Sequence, residues 1–276
     1  MSDVRTRKKS KRYIFIVCIT WLSVFIPLCF PIGLPIEVSE LTIEFRNYLD
    51  SLPEESIILH SANTYSGSIR GTIVVIKYLI KNNLKWVGWS DSARSAAYTM
   101  ECLEIAGAFE ATDWVYGVDW VWLGYIAGAE AAHSAIRDDF QSIAVSDYKG
   151  VPISELPLLQ EIHSETDIDL FLGSGESHLI WSRLWPTKPD RPTLLIIPTD
   201  IFPATIPYYP QTFAGLINGL GGAGELEFLL GMPGRAIAAS DALSLATIVT
   251  TLACILAQIE VIKGEKVTRE IKVDES

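Results

Sequence analysis

Where this sequence could do chemistry, it would do it on short polar strings that follow apolar runs. His60-Ser-Ala-Asn63-Thr-Tyr65-Ser66-Gly-Ser68 follows the first run, and Ser90-Asp91-Ser92-Ala-Arg94 the second. Tyr125-Ile-Ala-Gly128-Ala-Glu130 follows the third, Gly173-Ser174-Gly175-Glu176-Ser177-His178 the fourth, and Thr199-Asp200 the fifth. Hydroxyls, an amide, carboxylates and a guanidinium can together donate to and accept from a small polar ligand. Ser61, Asn63, Ser90, Asp91, Arg94, Glu130, Ser174 and Glu176 are the candidate ligand-binding set. The competing reading is turn and helix-cap chemistry, which uses the same residue types. Ser90 or Asp91 as a helix cap would explain its string without any ligand.

No complete catalytic constellation is visible. A serine hydrolase wants a Gly-x-Ser-x-Gly elbow between strand and helix. Gly173-Ser174-Gly175 lies between suitable elements, but its glycines do not have that spacing, and His178 is only four residues on. Gly219-Leu-Gly221-Gly-Ala-Gly224 has the letters of the dinucleotide fingerprint, which needs a strand before it and a helix after it. The expectation is that it lies past the last strand, in a helical stretch from Thr212 to Leu230. His60, His133, His163 and His178 show no metal-ligand spacing such as His-Glu-x-x-His. Glu54-Glu55 and Asp138-Asp139 are sequence neighbours whose side chains diverge. No catalytic residue, metal or cofactor is therefore assigned.

The strings must be held by elements. Ser39–Leu52 has the spacing of a capped helix. Strands are expected at Ser56–His60, Lys85–Trp89, Asp119–Ile126, Asp169–Leu172 and Thr193–Pro198. Helical patterns at Ile69–Lys81, Ser92–Ala106, Glu130–Phe140 and before Trp181 separate them. Such alternation indicates βαβ units. The fold class expected is α/β, a Rossmann-like, doubly wound, mainly parallel sheet of about five strands. Ligands of such sheets gather at the strand carboxyl ends. The stretch Val145–Thr166 is less regular and reads as a surface excursion. Seven tryptophans fall in this domain, and Trp120 and Trp122 alternate in one strand, which points to a core face.

Both ends of the chain are apolar. Tyr13–Phe30 carries no charge and continues to Ile36 before the first acid, Glu37. A basic arm of Arg5, Arg7, Lys8, Lys9, Lys11 and Arg12 precedes it. A membrane span needs ~20 apolar residues, and residues 13–36 supply them if Pro27 is tolerated. A cleaved signal peptide is the alternative, but the small-x-small cleavage pattern is missing. A second span is expected from about Ala242 to Ile262. Ala238, Ala242, Ala246 and Thr250 form a small-residue stripe along it, suited to close helix packing or self-association in lipid. Lys263, Lys266, Arg269 and Lys272 follow. Basic flanks at both ends place both termini in the cytoplasm and the middle outside.

The expected organisation is a basic arm at 1–12, a span at 13–36, and an extracytoplasmic α/β domain at 37–205. A Gly-rich juxtamembrane helical segment at 206–236, a span at 237–262 and a cytoplasmic tail at 263–276 complete it. Residues 31–240 hold 12 bases against 26 acids, a net of −14. That charge repels phosphate backbones and argues against nucleic acid as a partner. Of four cysteines only Cys102 lies in the middle domain, so that domain has no internal disulfide and no Cys-x-x-Cys zinc pattern.

Ile32-Gly-Leu-Pro-Ile36 leading into Glu40-Leu-Thr-Ile-Glu44, with Leu59-His-Ser61, Gly117-Val-Asp-Trp-Val121 and Gly231-Met-Pro-Gly-Arg235, resembles an uncharacterised family of archaeal membrane proteins. The resemblance implies two membrane anchors around an α/β domain and an archaeal source. It implies no catalytic residue. The function expected is a membrane-anchored interaction or scaffold module, a subunit of a membrane assembly with the bilayer and another membrane protein as partners. The alternative is a small-ligand-binding or sensory domain using the strand-end crevice.

Overall fold

A computed structural model of the chain describes residues 2–30, 32–143 and 145–274, with side chains described from residue 14 to 262 except at 31, 144 and 260. The side chains of the basic arm and of the tail from Lys263 lie outside the described residues. The chain divides into two compact units, Ile36–Ala236 and the terminal segments Met1–Pro35 with Ile237–Ser276.

The larger unit is a six-stranded, wholly parallel sheet: β1 Ile57–Asn63, β2 Lys85–Ser90, β3 Trp120–Tyr125, β4 Leu170–Gly175, β5 Thr193–Ile197 and β6 Gly215–Asn218. Their order is β3-β2-β1-β4-β5-β6. The chain builds outward from β1 in one direction and returns to build outward from β4 in the other. β1 and β4 thus flank the topological switch point. Described in chain order, the helices are α1 Ser2–Cys29, α2 Glu40–Asp50, α3 Ile69–Lys81, α4 Ala93–Ala106, α5 Glu130–Asp138, α6 Phe140–Ile143, α7 Pro157–Gln160, α8 His178–Leu184, α9 Phe202–Thr205, α10 Gly219–Leu229 and α11 Arg235–Asp274.

Side chains alternate across each strand, so each strand feeds two cores. Ile58, Ala62, Trp86, Trp120, Trp122, Leu172 and Ile196 join α3, α4 and α10 on one face. Leu59, Val87, Trp89, Val121, Phe171 and Leu195 join α5, α7 and α8 on the other. All seven domain tryptophans are buried. Trp114 stacks on Trp120 and Trp86 on Trp122, with ring centroids 5.4 and 5.9 Å apart.

Two expectations are corrected. The sheet has six strands rather than about five, and the sixth lies in the segment 206–236 that reads as helical. β6 is four residues of Gly-Leu-Ile-Asn, too short to display a period of two. With α10 it belongs to the α/β unit. The second correction concerns Val145–Thr166, which is no mere surface excursion: Leu156, Leu158, Leu159 and Ile162 are all buried in the second core.

The segment of α11 from Arg235 to Ile259 is long and apolar enough to cross a membrane, and its most apolar stretch is largely unburied. α1 ends at Cys29, which leaves Ile14–Cys29 as a shorter apolar helix. Ala238 and Ala242 are buried, Ala246 is half-buried and Thr250 is exposed. Asp241, 2% exposed, accepts the backbone N–H groups of Ile32, Gly33 and Leu34 at 3.1, 2.9 and 3.2 Å. Three consecutive amides around one carboxylate form an anion nest, and it ties the stretch after α1 to the start of α11.

Candidate functional site

The switch point is polar on both faces of the sheet. On β1, His60 points to one face and Ser61 to the other, because neighbours in a strand alternate. Each is held by an indole. The Trp86 N–H donates to His60 Nδ1 at 3.2 Å, and the Trp181 N–H donates to Ser61 Oγ at 3.1 Å. Trp181 can lie over the sheet because Gly173 has no side chain there. A Cβ at Gly173 would stand 2.9 Å from the indole ring.

On the first face, His60 Nε2 lies 2.9 Å from Ser174 Oγ, and Ser174 Oγ lies 2.9 Å from Thr64 Oγ1. With Nδ1 accepting from Trp86, a neutral His60 carries its proton on Nε2 and donates it to Ser174. Burial holds the His60 pKa down to about 3. On the second face, His133 Nδ1 accepts the Trp185 N–H at 3.0 Å, and its Nε2 lies 3.4 Å from Ser61 Oγ and 3.6 Å from Asp91 Oδ2. Burial lowers the His133 pKa, against a smaller opposing effect of Asp91.

Ser61, His133 and Asp91 bring a hydroxyl, an imidazole and a carboxylate together, yet they do not make a catalytic triad. A triad uses one ring nitrogen to take the serine proton and the other to hold the carboxylate. Here serine and aspartate both face Nε2, and the indole occupies Nδ1. Nε2 therefore bears a proton and has no lone pair to act as base. The same logic silences His60 toward Ser174. Both histidines act as fixed donors.

Asn63 ties the strand ends together. Its Oδ1 accepts from Ser90 Oγ at 2.9 Å and from the Asp91 N–H at 3.1 Å, while its Nδ2 donates to Ser177 Oγ at 2.9 Å. Gly175 makes the close approach of β4 to β1 possible. Its φ is +114°, and a Cβ there would lie 2.0 Å from the Asn63 carbonyl oxygen. Tyr65 completes the rim: its hydroxyl donates to Asp200 Oδ1 at 3.4 Å, with Glu176 close by. Its pKa is raised by burial first and by both carboxylates next.

The eight sequence candidates divide. Ser61, Asn63, Ser90, Asp91 and Ser174 meet around the ends of β1, β2 and β4. Glu176 is exposed at the rim beside Tyr65. Glu130 is exposed and engaged with Arg183 at 2.9 Å. Arg94 is exposed in the first turn of α4 and makes no ion pair among the described residues. The cap reading also has its share, since the Ser92 side chain caps α4. Sequence reasoning missed His60, His133, Thr64, Ser177 and the three tying indoles. His60, Thr64 and Ser177 do stand in the polar strings, but nothing local marks which groups meet, because the partners are 26 to 120 residues apart.

The glycine fingerprint does have β6 before it and α10 after it, where the expectation made Thr212–Leu230 wholly helical. Gly219, at φ +53°, approaches Thr199, and Gly222 packs on Ile217. The motif lies on an edge strand, away from the switch point, and among the described residues nothing beside it marks a ligand. Among the described residues no group of three His, Cys, Asp or Glu converges as metal ligands would. Comparison of the chain with family models, curated proteins and solved structures found no match.

Proposed function

We propose that this protein is a membrane-attached α/β module that binds a small polar ligand in the crevice between β1 and β4. One observation carries the reading. Ser61, Asn63, Ser90 and Asp91, on two strands and the turn after one of them, gather at the carboxyl ends beside the switch point, where open parallel sheets take their ligands, with Ser174 of β4 on the opposite face. Tryptophan hydrogen bonds fix Ser61, His60 and His133 in place, and preorganised polar groups lower the cost of binding. The apolar, exposed α11 supports the membrane attachment. A second crossing through Ile14–Cys29 and the following residues, with both termini cytoplasmic and the α/β unit outside, follows from the basic flanks at the two ends.

An assembly module is the second reading. It is favoured by the apolar side chains of α1 and α11 left exposed in a single chain, among them Phe15, Trp21, Leu243 and Leu256. Of the small-residue stripe, Ala246 and Thr250 would be its contact in lipid, since Ala238 and Ala242 are already buried within the chain.

Native mass spectrometry of gently solubilised protein separates the two. A monomer carrying an extra small mass, absent from Asn63→Ala, is the result expected. A defined oligomer or stoichiometric partner with no small mass on any chain would replace the ligand reading with the assembly one.

A further inference from the structure

Asp91 has an unusual position for a carboxylate. Its side chain is only 10% exposed, and among the described residues the polar group facing it is His133 Nε2 at 3.6 Å, beyond hydrogen-bond length. Other sheltered carboxylates of the α/β unit are filled by donors. Glu225 Oε2 accepts from the Ser39 N–H, Ser39 Oγ and Thr42 Oγ1 at 3.0, 2.7 and 2.6 Å. Asp147 Oδ1 accepts the N–H groups of Lys149 and Val151, each at 2.8 Å, and its Oδ2 accepts the Tyr116 hydroxyl. Asp91 has no such set among the described residues. The cap of α4 does not use it either, because Ser92 Oγ accepts the Ser95 N–H at 3.4 Å.

His133 does not supply the missing positive charge. Its Nδ1 accepts the Trp185 N–H, so a second ring proton would have to displace that bond. Burial also depresses its basicity. Among the described residues no lysine or arginine pairs with Asp91. A sheltered carboxylate that faces only a neutral donor attracts an approaching cation. A second, independent observation lies against the same imidazole. Trp89 is fully buried, its ring centroid is 4.4 Å from that of His133, and its indole N–H has no hydrogen-bond partner among the described residues. An unfilled acceptor and an unfilled donor thus lie beside one imidazole, and a ligand reaching both would carry a positive nitrogen and an acceptor oxygen.

We propose that the crevice takes a small ammonium compound bearing an acceptor oxygen, such as an amino alcohol or an amino acid, with Asp91 holding the ammonium and Trp89 the oxygen. The proposal rests on the crevice being a ligand site and names the class of ligand. The rim suits it, because Glu176 and Asp200 add negative charge beside the Tyr65 ring, and cations favour aromatic faces.

Calorimetric titration and thermal unfolding of the full chain in detergent test it. The probes are ethanolamine, choline and glycine, with ethylamine, ethylene glycol and inorganic phosphate as controls at matched ionic strength. At least one oxygen-bearing amine is expected to bind saturably and raise Tm, while ethylene glycol and phosphate do neither. Asp91→Asn should weaken that binding at least tenfold without lowering the Tm of the unliganded protein. Trp89→Phe should weaken ethanolamine but not ethylamine, and it serves alone if Asp91→Asn does not fold. Failure of all the amines, or equal binding by Asp91→Asn, overturns the proposal. If phosphate or ethylene glycol binds instead, and Asn63→Ala abolishes it, the crevice survives and the cationic ligand falls. If no probe binds and no mass co-purifies with the chain, the ligand reading falls as well.

Discussion

At the scale of the residue, the decisive feature is an indole N–H on each of two buried histidines, His60 and His133. It fixes the tautomer and removes the ring as a base. His60 therefore titrates differently folded and unfolded. Its ordinary pKa of 6.5 falls to about 3 in the folded protein. Between those values the unfolded chain binds a proton that the folded chain refuses, so stability falls as pH falls through that window. The slope from one such group approaches about 1.4 kcal/mol per pH unit. Denaturant midpoints from pH 7.5 to 4.5 should decline, and His60→Gln should flatten the decline. An unchanged slope would assign it to other groups. Gly175 gives a second prediction. A methyl group there meets the Asn63 carbonyl oxygen at 2.0 Å in a backbone region that side chains avoid. Gly175→Ala should destabilise the fold by about 2–4 kcal/mol, measured by denaturant unfolding.

At the scale of the element, acidic side chains hold backbone ends. Asp169 Oδ2 accepts the Ile57 N–H at 2.7 Å where β1 begins, and Glu227 accepts the N–H groups of Gly234 and Ala236 at 3.0 and 3.2 Å. Part of the negative charge thus has a structural task. Glu225 stabilises the start of α2, where a carboxylate also meets the positive end of the helix. Asp241 does the same work for the stretch after α1. Asp241→Ala leaves three amides without their acceptor and should cost about 1–3 kcal/mol. Faster proteolysis around Ile32–Leu34 would report the loosened tie. Cleavage at the wild-type rate would show that the nest does not hold that stretch.

At the scale of the whole molecule, the terminal and central parts need different solvents. The exposed face of α11 is apolar, whereas the α/β unit encloses two cores and carries a strongly negative net charge. That division underlies the proposed topology, and the topology has its own test. Glu155 is exposed in the connection before β4. In a chain otherwise free of cysteine, Glu155→Cys should react with an impermeant maleimide added to intact cells. Reaction only after lysis would place the α/β unit in the cytoplasm.

The sequence by itself determined the element types and most of their limits. Helix Ile69–Lys81 has the expected bounds, because periodicity is local, and α4 is capped within the expected string, though by Ser92 rather than by Ser90 or Asp91. It also determined that the tryptophans are core and that polar strings sit at strand ends. Two things needed the tertiary structure. A four-residue strand such as β6 exists only because β5 offers it a ladder to join, and that ladder is invisible along the chain. The polar network was hidden for the same reason. Whether His133 is a base or a donor depends on Trp185, 52 residues away, and whether Asp91 is filled depends on which groups the fold brings beside it. Local chemistry chooses the elements, and only the packed sheet chooses their partners.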